Sequence, residues 1–264
     1  MPVDARLAFY KATVSRLIPD RGSSILVVAG GPPDKAVFEE LGFRRVVISN
    51  LDTRTPPDAF APFAWRHEDA EALSYADGAF DYVVVHAALH HCQSPHRALL
   101  EMYRVARIAA VAFEARDSLL MRAFERLGLA QVYEHSAVYY NDGRHGGVRN
   151  TEVPNYVYRW TEREVEKTIK TYAPHAPHRF EYFYGHDTPA TLRLERGTSL
   201  RQHLITAMVP AYGLFSALFP KQQNLFAFVV HKPRLPEQLH AWLQWEGGQP
   251  RFNLGWAERR YRAR

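Results

Sequence analysis

The sequence predicts an α/β domain built on an open, doubly wound, mostly parallel sheet. Ile25–Ala29 and Val46–Ile48 are short apolar runs without polar alternation, as strands covered on both faces read. A helix-length segment with one apolar face separates them, and strand-then-helix patterning recurs from Phe80 onward. The 264 residues, 47% of them apolar, suffice for one large core.

The first strand stops at Gly30-Gly31-Pro32-Pro33, a turn signal. A helix is expected over Asp34–Leu41, with Val37, Phe38 and Leu41 on one face, prolines where a first turn tolerates them, and Gly42 as its C-terminal stop. Val46–Ile48 is the second strand and Phe80–His86 the next. Ser94-Pro95 opens a helix whose Leu99, Met102, Tyr103 and Ala106 share a stripe. Ile108–Phe113 is a further strand. Helices follow over Ser118–Leu127 and Thr161–Tyr172, the second with Thr161 and Glu164 as a capping box. Arg179–Tyr184 and Asn224–His231, rich in aromatic and β-branched residues, read as the last strands, separated by a segment that looks helical from Ser199 to Phe219. No internal repeat is seen.

Two stretches break the alternation: Gln131–Arg159, dense in Tyr, His, Asn and Gly, and the insertion between the last two strands. Loops on a rigid scaffold carry substrate contacts, so a lid is expected from about 131–159 and 186–220. The expected organisation is one domain over 1–234 and a basic, Trp-containing C-terminal tail over 235–264.

Lys and Arg total 33 against 28 Asp and Glu, a net charge of +5. Much of the excess sits in Arg251, Arg259, Arg260, Arg262 and Arg264, so no nucleic-acid partner is expected, because phosphate binding wants a basic face across the fold. Cys92 is the single cysteine, which excludes an internal disulfide and fits a reducing compartment. The first residues lack the apolar block of a secretory signal, and a cytoplasmic location is expected. Leu204–Phe219 is uncharged but short for a bilayer and broken by Pro210 and Gly213. It is expected in a core, lid or homodimer interface rather than against a membrane surface, although the Arg-rich tail would suit an anionic one. Trp242, Trp245 and Trp256 are expected as packing anchors.

Ligands of open α/β sheets lie beyond the carboxyl ends of the strands. Gly30 and Gly31 let a ligand approach the backbone there. The loop is no dinucleotide fingerprint, since Pro33 and Asp34 replace its third glycine and a carboxylate repels phosphate. After the second strand, Asn50, Leu51 and Asp52 offer an amide and a carboxylate to a ribose diol. Glu68-Asp69-Ala70-Glu71-Ala72-Leu73 then precedes the strand running to His86, and an Asp there can accept an exocyclic amine.

In that order, the glycine loop, the acidic or amide strand end, D-A-E-x-L and F-D-x-V-V-x-H-x-x-L-H-H resemble the class I methyltransferases of the type 11 group, over roughly residues 24–115. The resemblance implies a Rossmann-like fold with a seven-stranded, mostly parallel sheet whose last two strands form an antiparallel edge, and S-adenosylmethionine as cofactor. Ala29, Gly30 and Gly31 would then approach the methionine part, Asn50, Leu51 and Asp52 the ribose, Asp69 with Ala70 the adenine, and His86 the sulfur. Val27, Ala29 and Pro33 depart from the family's acid and glycines, which leaves Asp34 as the partner expected for the cofactor's amino group.

Methyl transfer needs an aligned nucleophile and, for a hydroxyl acceptor, a base that titrates near neutrality. His90 and His91 are the leading candidates and His135, among Tyr133, Tyr139 and Tyr140, the next. His90, His91, Glu114, Asp117 and His135 could converge on a divalent ion, but no pair has a recognised ligand spacing and no metal is expected. The acceptor is expected to be a small molecule, a sugar or natural-product intermediate methylated on oxygen. Nitrogen or carbon methylation, and a non-catalytic module that kept only the fold, are the alternatives.

Overall fold

A computed structural model describes residues 4–187 and 210–262. In chain order the elements are α1 (Ala5–Leu17), β1 (Ser24–Val28), α2 (Pro32–Glu40), β2 (Arg45–Asn50), β3 (Ala64–His67), β4 (Phe80–His86), α3 (Pro95–Val105), β5 (Ala106–Ala115), α4 (Leu119–Arg126), α5 (His135–Tyr139), α6 (Glu162–Tyr172), β6 (Arg179–Gly185), β7 (Leu225–His231), β8 (Leu243–Glu246), β9 (Gln249–Phe252) and α7 (Leu254–Tyr261). Residues 210–218 are also helical. The rest of the helix expected from Ser199, and part of the expected 186–220 lid, lie outside the described residues.

One sheet in the order β3-β2-β1-β4-β5-β7-β6 carries the fold. β1 to β5 run parallel, β7 is antiparallel to β5, and β6 is antiparallel to β7. The last two strands thus form the antiparallel edge that the resemblance implied, with β7 alone opposing the other six. The strand order reverses between β1 and β4, which opens the crevice where ligands of such sheets bind.

The apolar runs sort by parity. Ile25, Val27, Val84, Val111 and Phe113 face Tyr10 and Val14 of α1 and Val37 and Phe38 of α2. Leu26, Val28, Val83, Val85, Ala110 and Ala112 face Leu99 and Met102 of α3, Ile169 of α6, and Trp160. Burying both sets contributes about 1.5–3 kcal/mol per large side chain, and this fixes strand register.

α1, β3 and the three C-terminal elements have no counterpart in the sequence reading. α1 carries Leu7, Tyr10, Val14 and Leu17 at helical spacing behind an Asp4 cap that accepts from Arg6 N and Leu7 N. β3 is an edge strand, Ala-Trp-Arg-His, with no apolar run. The expected tail folds into the β8–β9 hairpin, turned by Gly247 (φ 59°) and Gly248 (φ 80°), followed by α7. Two successive positive φ values are what a two-residue hairpin turn of this hand requires. Trp242 stacks on His240 at 4.1 Å and packs 6.0 Å from Trp256. Among the described residues no helix is long and apolar enough to cross a membrane.

Candidate functional site

Two cavities open beside the carboxyl ends of β1, β2 and β4. The larger, about 350 Å³, is lined by Ala29, Asn50, Leu51, Asp52, Asp69, Ala70 and His86. These are seven of the ten expected cofactor residues. Gly30, Gly31 and Asp34 lie behind that lining. The smaller cavity, about 110 Å³, is lined by Arg6, His90, Glu114, Glu134, Arg159 and apolar groups including Phe9, Phe113 and Met121. His86 and Ala87 belong to both walls, so they stand between the two cavities.

The loop after β1 has backbone strain where the family resemblance implied glycine. Ala29 sits at φ 51°, and Ala87 after β4 takes the same value, at roughly 1–2 kcal/mol each for a residue with a Cβ. Such strain persists where the surroundings over-determine it, commonly at sites. Gly30 donates its N–H to Ser49 O at 2.9 Å, and a Cβ on it would meet Val27 Cγ1 at 2.7 Å. Asn50 ties the loop down, its Nδ2 donating to Gly30 O at 3.0 Å and its Oδ1 accepting from Asp52 N at 2.9 Å.

Asp34 does not reach the cleft. Its Oδ2 accepts from Gly31 N at 2.8 Å and so caps α2, while its buried Oδ1 has no hydrogen-bond partner and lies 3.9 Å from His86 Nδ1. Tyr10, fully buried, stacks on His86 at 4.3 Å. Burial pushes Asp34 and Tyr10 up and His86 down, driving all three toward their neutral forms.

The carboxylates of the larger cavity are already paired. Asp52 accepts from Arg54 Nε at 3.0 Å and Nη2 at 2.6 Å, and these bonds hold its carboxyl below the usual range. Asp69 accepts from Glu71 N through Oδ1 at 2.9 Å and pairs through Oδ2 with Arg149, also at 2.9 Å. Arg149 belongs to the 131–159 segment, which also lines the cavity with Asn141, Gly146, Gly147 and Asn150. Glu71 accepts from Gln93 N and Ser94 N at the start of α3. Burial pushes the Cys92 thiol up to about 12, which leaves it inert.

His90 and His91 converge with two glutamates. His90 Nδ1 lies 2.7 Å from Glu114 Oε2, and Glu114 Oε1 accepts from Ala88 N and Leu89 N. His90 Nε2 and His91 Nε2 lie 3.3 and 3.4 Å from Glu134 Oε2. Burial alone would lower His90, but Glu114 and Glu134 outweigh it and hold its imidazolium up to about 9. Burial would raise Glu134, yet His90, His91 and Asn155 pull it down to about 2. Burial and the His90 charge lower His91.

The structure does not bring His135 or Asp117 to this cluster. His135 is exposed and lines neither cavity, and Asp117 is bound by Arg122. Glu134, Arg149, Arg54 and Tyr10 were missed. The first three are charges in loops without periodicity, and Tyr10 could have been found only through the α1 stripe.

The cavity offers an amide and carboxylates to a diol and an amine, which fits an adenosine moiety. A family model described as a methyltransferase domain matches residues 43–112. No curated protein matches the sequence. Among solved structures, an S-adenosylmethionine-dependent methyltransferase of Thermotoga maritima aligns with TM-score 0.50 and 14% identity, over 87% of this chain and 90% of that one. A chain of the Haloferax volcanii complex that contains the Trm112 methyltransferase activator aligns with TM-score 0.55 and 13% identity, over 88% and 91%. The [4+2]-cyclase SpnF aligns with TM-score 0.50 and 14% identity, over 85% and 80%. At these identities the likeness is one of fold.

Proposed function

We propose, from the premise that the chain is a class I S-adenosylmethionine-dependent methyltransferase of the type 11 group, that it methylates an oxygen of a small acceptor, a sugar or natural-product intermediate. One observation carries the reading. The cavity lined by the expected cofactor residues shares His86 and Ala87 with a second cavity, and His90, His91 and Glu134 line one or the other beside that junction.

When bound, S-adenosylmethionine supplies an electrophilic methyl group on a sulfonium. Asn50, Leu51 and Asp52 would hold the ribose, Asp69 and Ala70 the adenine, and His86 the sulfur side. His86, sandwiched between Tyr10 and the junction and driven neutral by burial, adds no competing charge near a sulfonium. The second cavity positions the acceptor between Phe113, Met121 and the glutamates.

A hydroxyl must lose its proton as its oxygen attacks. Glu114 holds His90 Nδ1 and the Glu134 carboxyl is held well below the usual range, which leaves the neutral, part-exposed His91 ring as the group that receives the proton. The lid over 131–159 carries Glu134 and Arg149 together, so its closure completes both cavities at once.

The test supplies methyl-labelled cofactor with panels of sugars, phenols, amines and carbon acids. Label in an ether linkage is expected, with turnover falling at least tenfold in Glu134→Gln while cofactor affinity holds. Label only in amine or carbon products overturns oxygen as the acceptor atom.

A further inference from the structure

The His90–His91–Glu134 cluster has spacings wider than a tight charge-assisted hydrogen bond and close to those of ligands around one cation. A charge-assisted N–H to carboxylate bond draws in to about 2.7–2.9 Å, as His90 Nδ1 does to Glu114 at 2.7 Å. The two contacts of Glu134 stand wider, at 3.3 Å from His90 Nε2 and 3.4 Å from His91 Nε2. A tetrahedral cation with bonds of about 2.1 Å sets its ligands about 3.4 Å apart. One ligand atom from each of the three residues lies within 4.8 Å of the others.

The supports around the three groups match that reading. Glu114 engages His90 through Nδ1, which turns Nε2 toward Glu134, and the backbone N–H groups of Ala88 and Leu89 fix the carboxylate that does so. A carboxylate on the far nitrogen is the usual outer partner of a metal-bound imidazole. Asn155 Nδ2 donates to Glu134 Oε2 at 3.3 Å, and Asn155 O accepts from Glu134 N at 2.9 Å. His90 and Glu134 line the acceptor cavity and His91 the adenosine cavity, so the cluster stands between the two with one side open.

We propose that His90 Nε2, His91 Nε2 and the Glu134 carboxylate bind one divalent cation of the borderline class, zinc, cobalt or nickel, leaving a position open toward the acceptor cavity. Two imidazoles and one carboxylate select these ions over magnesium and calcium, which prefer all-oxygen sites. The site itself stands without methyl transfer. A role for the cation in polarising the acceptor oxygen rests on the function proposed above and takes the place of proton transfer to the His91 ring, whose Nε2 is then a ligand.

Calorimetric titration of the full chain with Co²⁺, followed by its visible spectrum, tests the site. One equivalent with a tetrahedral spectrum is expected, weakened at least tenfold in both Glu134→Gln and His91→Ala, and about 10–100-fold in Glu114→Gln. The wild-type spectrum reports geometry even where a variant fails to fold. No stoichiometric binding, an octahedral spectrum, or binding unchanged in folded Glu134→Gln and His91→Ala overturns the proposal. Thirteen histidines make the last control necessary. Cation binding without label transfer to any acceptor would count against the proposed function and leave the site standing.

Discussion

Arg149 Nη2 lies 2.9 Å from Asp69 Oδ2 in the wall of the larger cavity, so the 131–159 segment is tied to the carboxylate that we assign to adenine. A second contact, Arg149 Nη1 to Glu71 Oε2 at 3.3 Å, ties it to the start of α3. Arg149 pays backbone strain to be there, at φ 51° with Asn150 at φ 60° beside it.

The pair competes with the cofactor for Asp69. Arg149 is part-exposed, and such ion pairs contribute about 0–1 kcal/mol. Arg149→Ala is expected to tighten S-adenosylhomocysteine binding by up to about fivefold in calorimetry. Weaker binding would mean that Arg149 grips the ligand itself.

Gly30 tests the close approach of the loop to the sheet. A Cβ there would stand 2.7 Å from Val27 Cγ1 and 3.0 Å from Ile48 Cγ2, both in the buried core. Gly30→Ala is expected to destabilise the chain by about 1–3 kcal/mol, read as a lower melting temperature. An unchanged melting curve would show that the loop is free to relax.

How much of this was legible depends on whether a residue's role is set by periodicity or by tertiary neighbours. Val27, Ile48 and Val84 announced buried parallel strands because both faces of the sheet are covered. Ala29 reads as the last residue of the first strand, and nothing in the sequence signals its left-handed backbone. Trp65 and Arg66 in β3 gave no sign of a strand, because an edge strand needs no apolar run. The Gly247-Gly248 pair was a readable hairpin signal inside what was taken for a tail. His90 and His91 could be placed at the strand end, yet Glu134 joins them from a loop more than forty residues on, and no spacing rule reaches that far. Asp34, expected as a ligand group, also caps its own helix, a role that its place three residues after Gly31 could have signalled.

Asp81 anchors the opposite end of β4 and gives the fold an acid limit. It accepts from Ser24 N at 2.8 Å and Ser24 Oγ at 2.9 Å, and pairs with Arg107. Burial would raise its carboxyl, but these partners hold it below the usual range. A depressed folded value means that its stabilisation is complete above the unfolded value of about 3.9 and is lost as pH falls through the folded one. Asp81→Asn is expected to cost about 1–2 kcal/mol at neutral pH, with the gap to wild type closing below about pH 4 in melts across pH. A gap constant down to strongly acidic pH would assign the cost to packing.

Asn50 joins the glycine loop to the cavity that adenosine is assigned to, and losing its bond to Gly30 O costs about 1–2 kcal/mol. Calorimetric titration of the full chain with S-adenosylhomocysteine is therefore the most direct measurement. One equivalent bound by the wild type, with affinity down about tenfold in Asn50→Ala, is the predicted result. No heat and no rise in melting temperature would contradict the account.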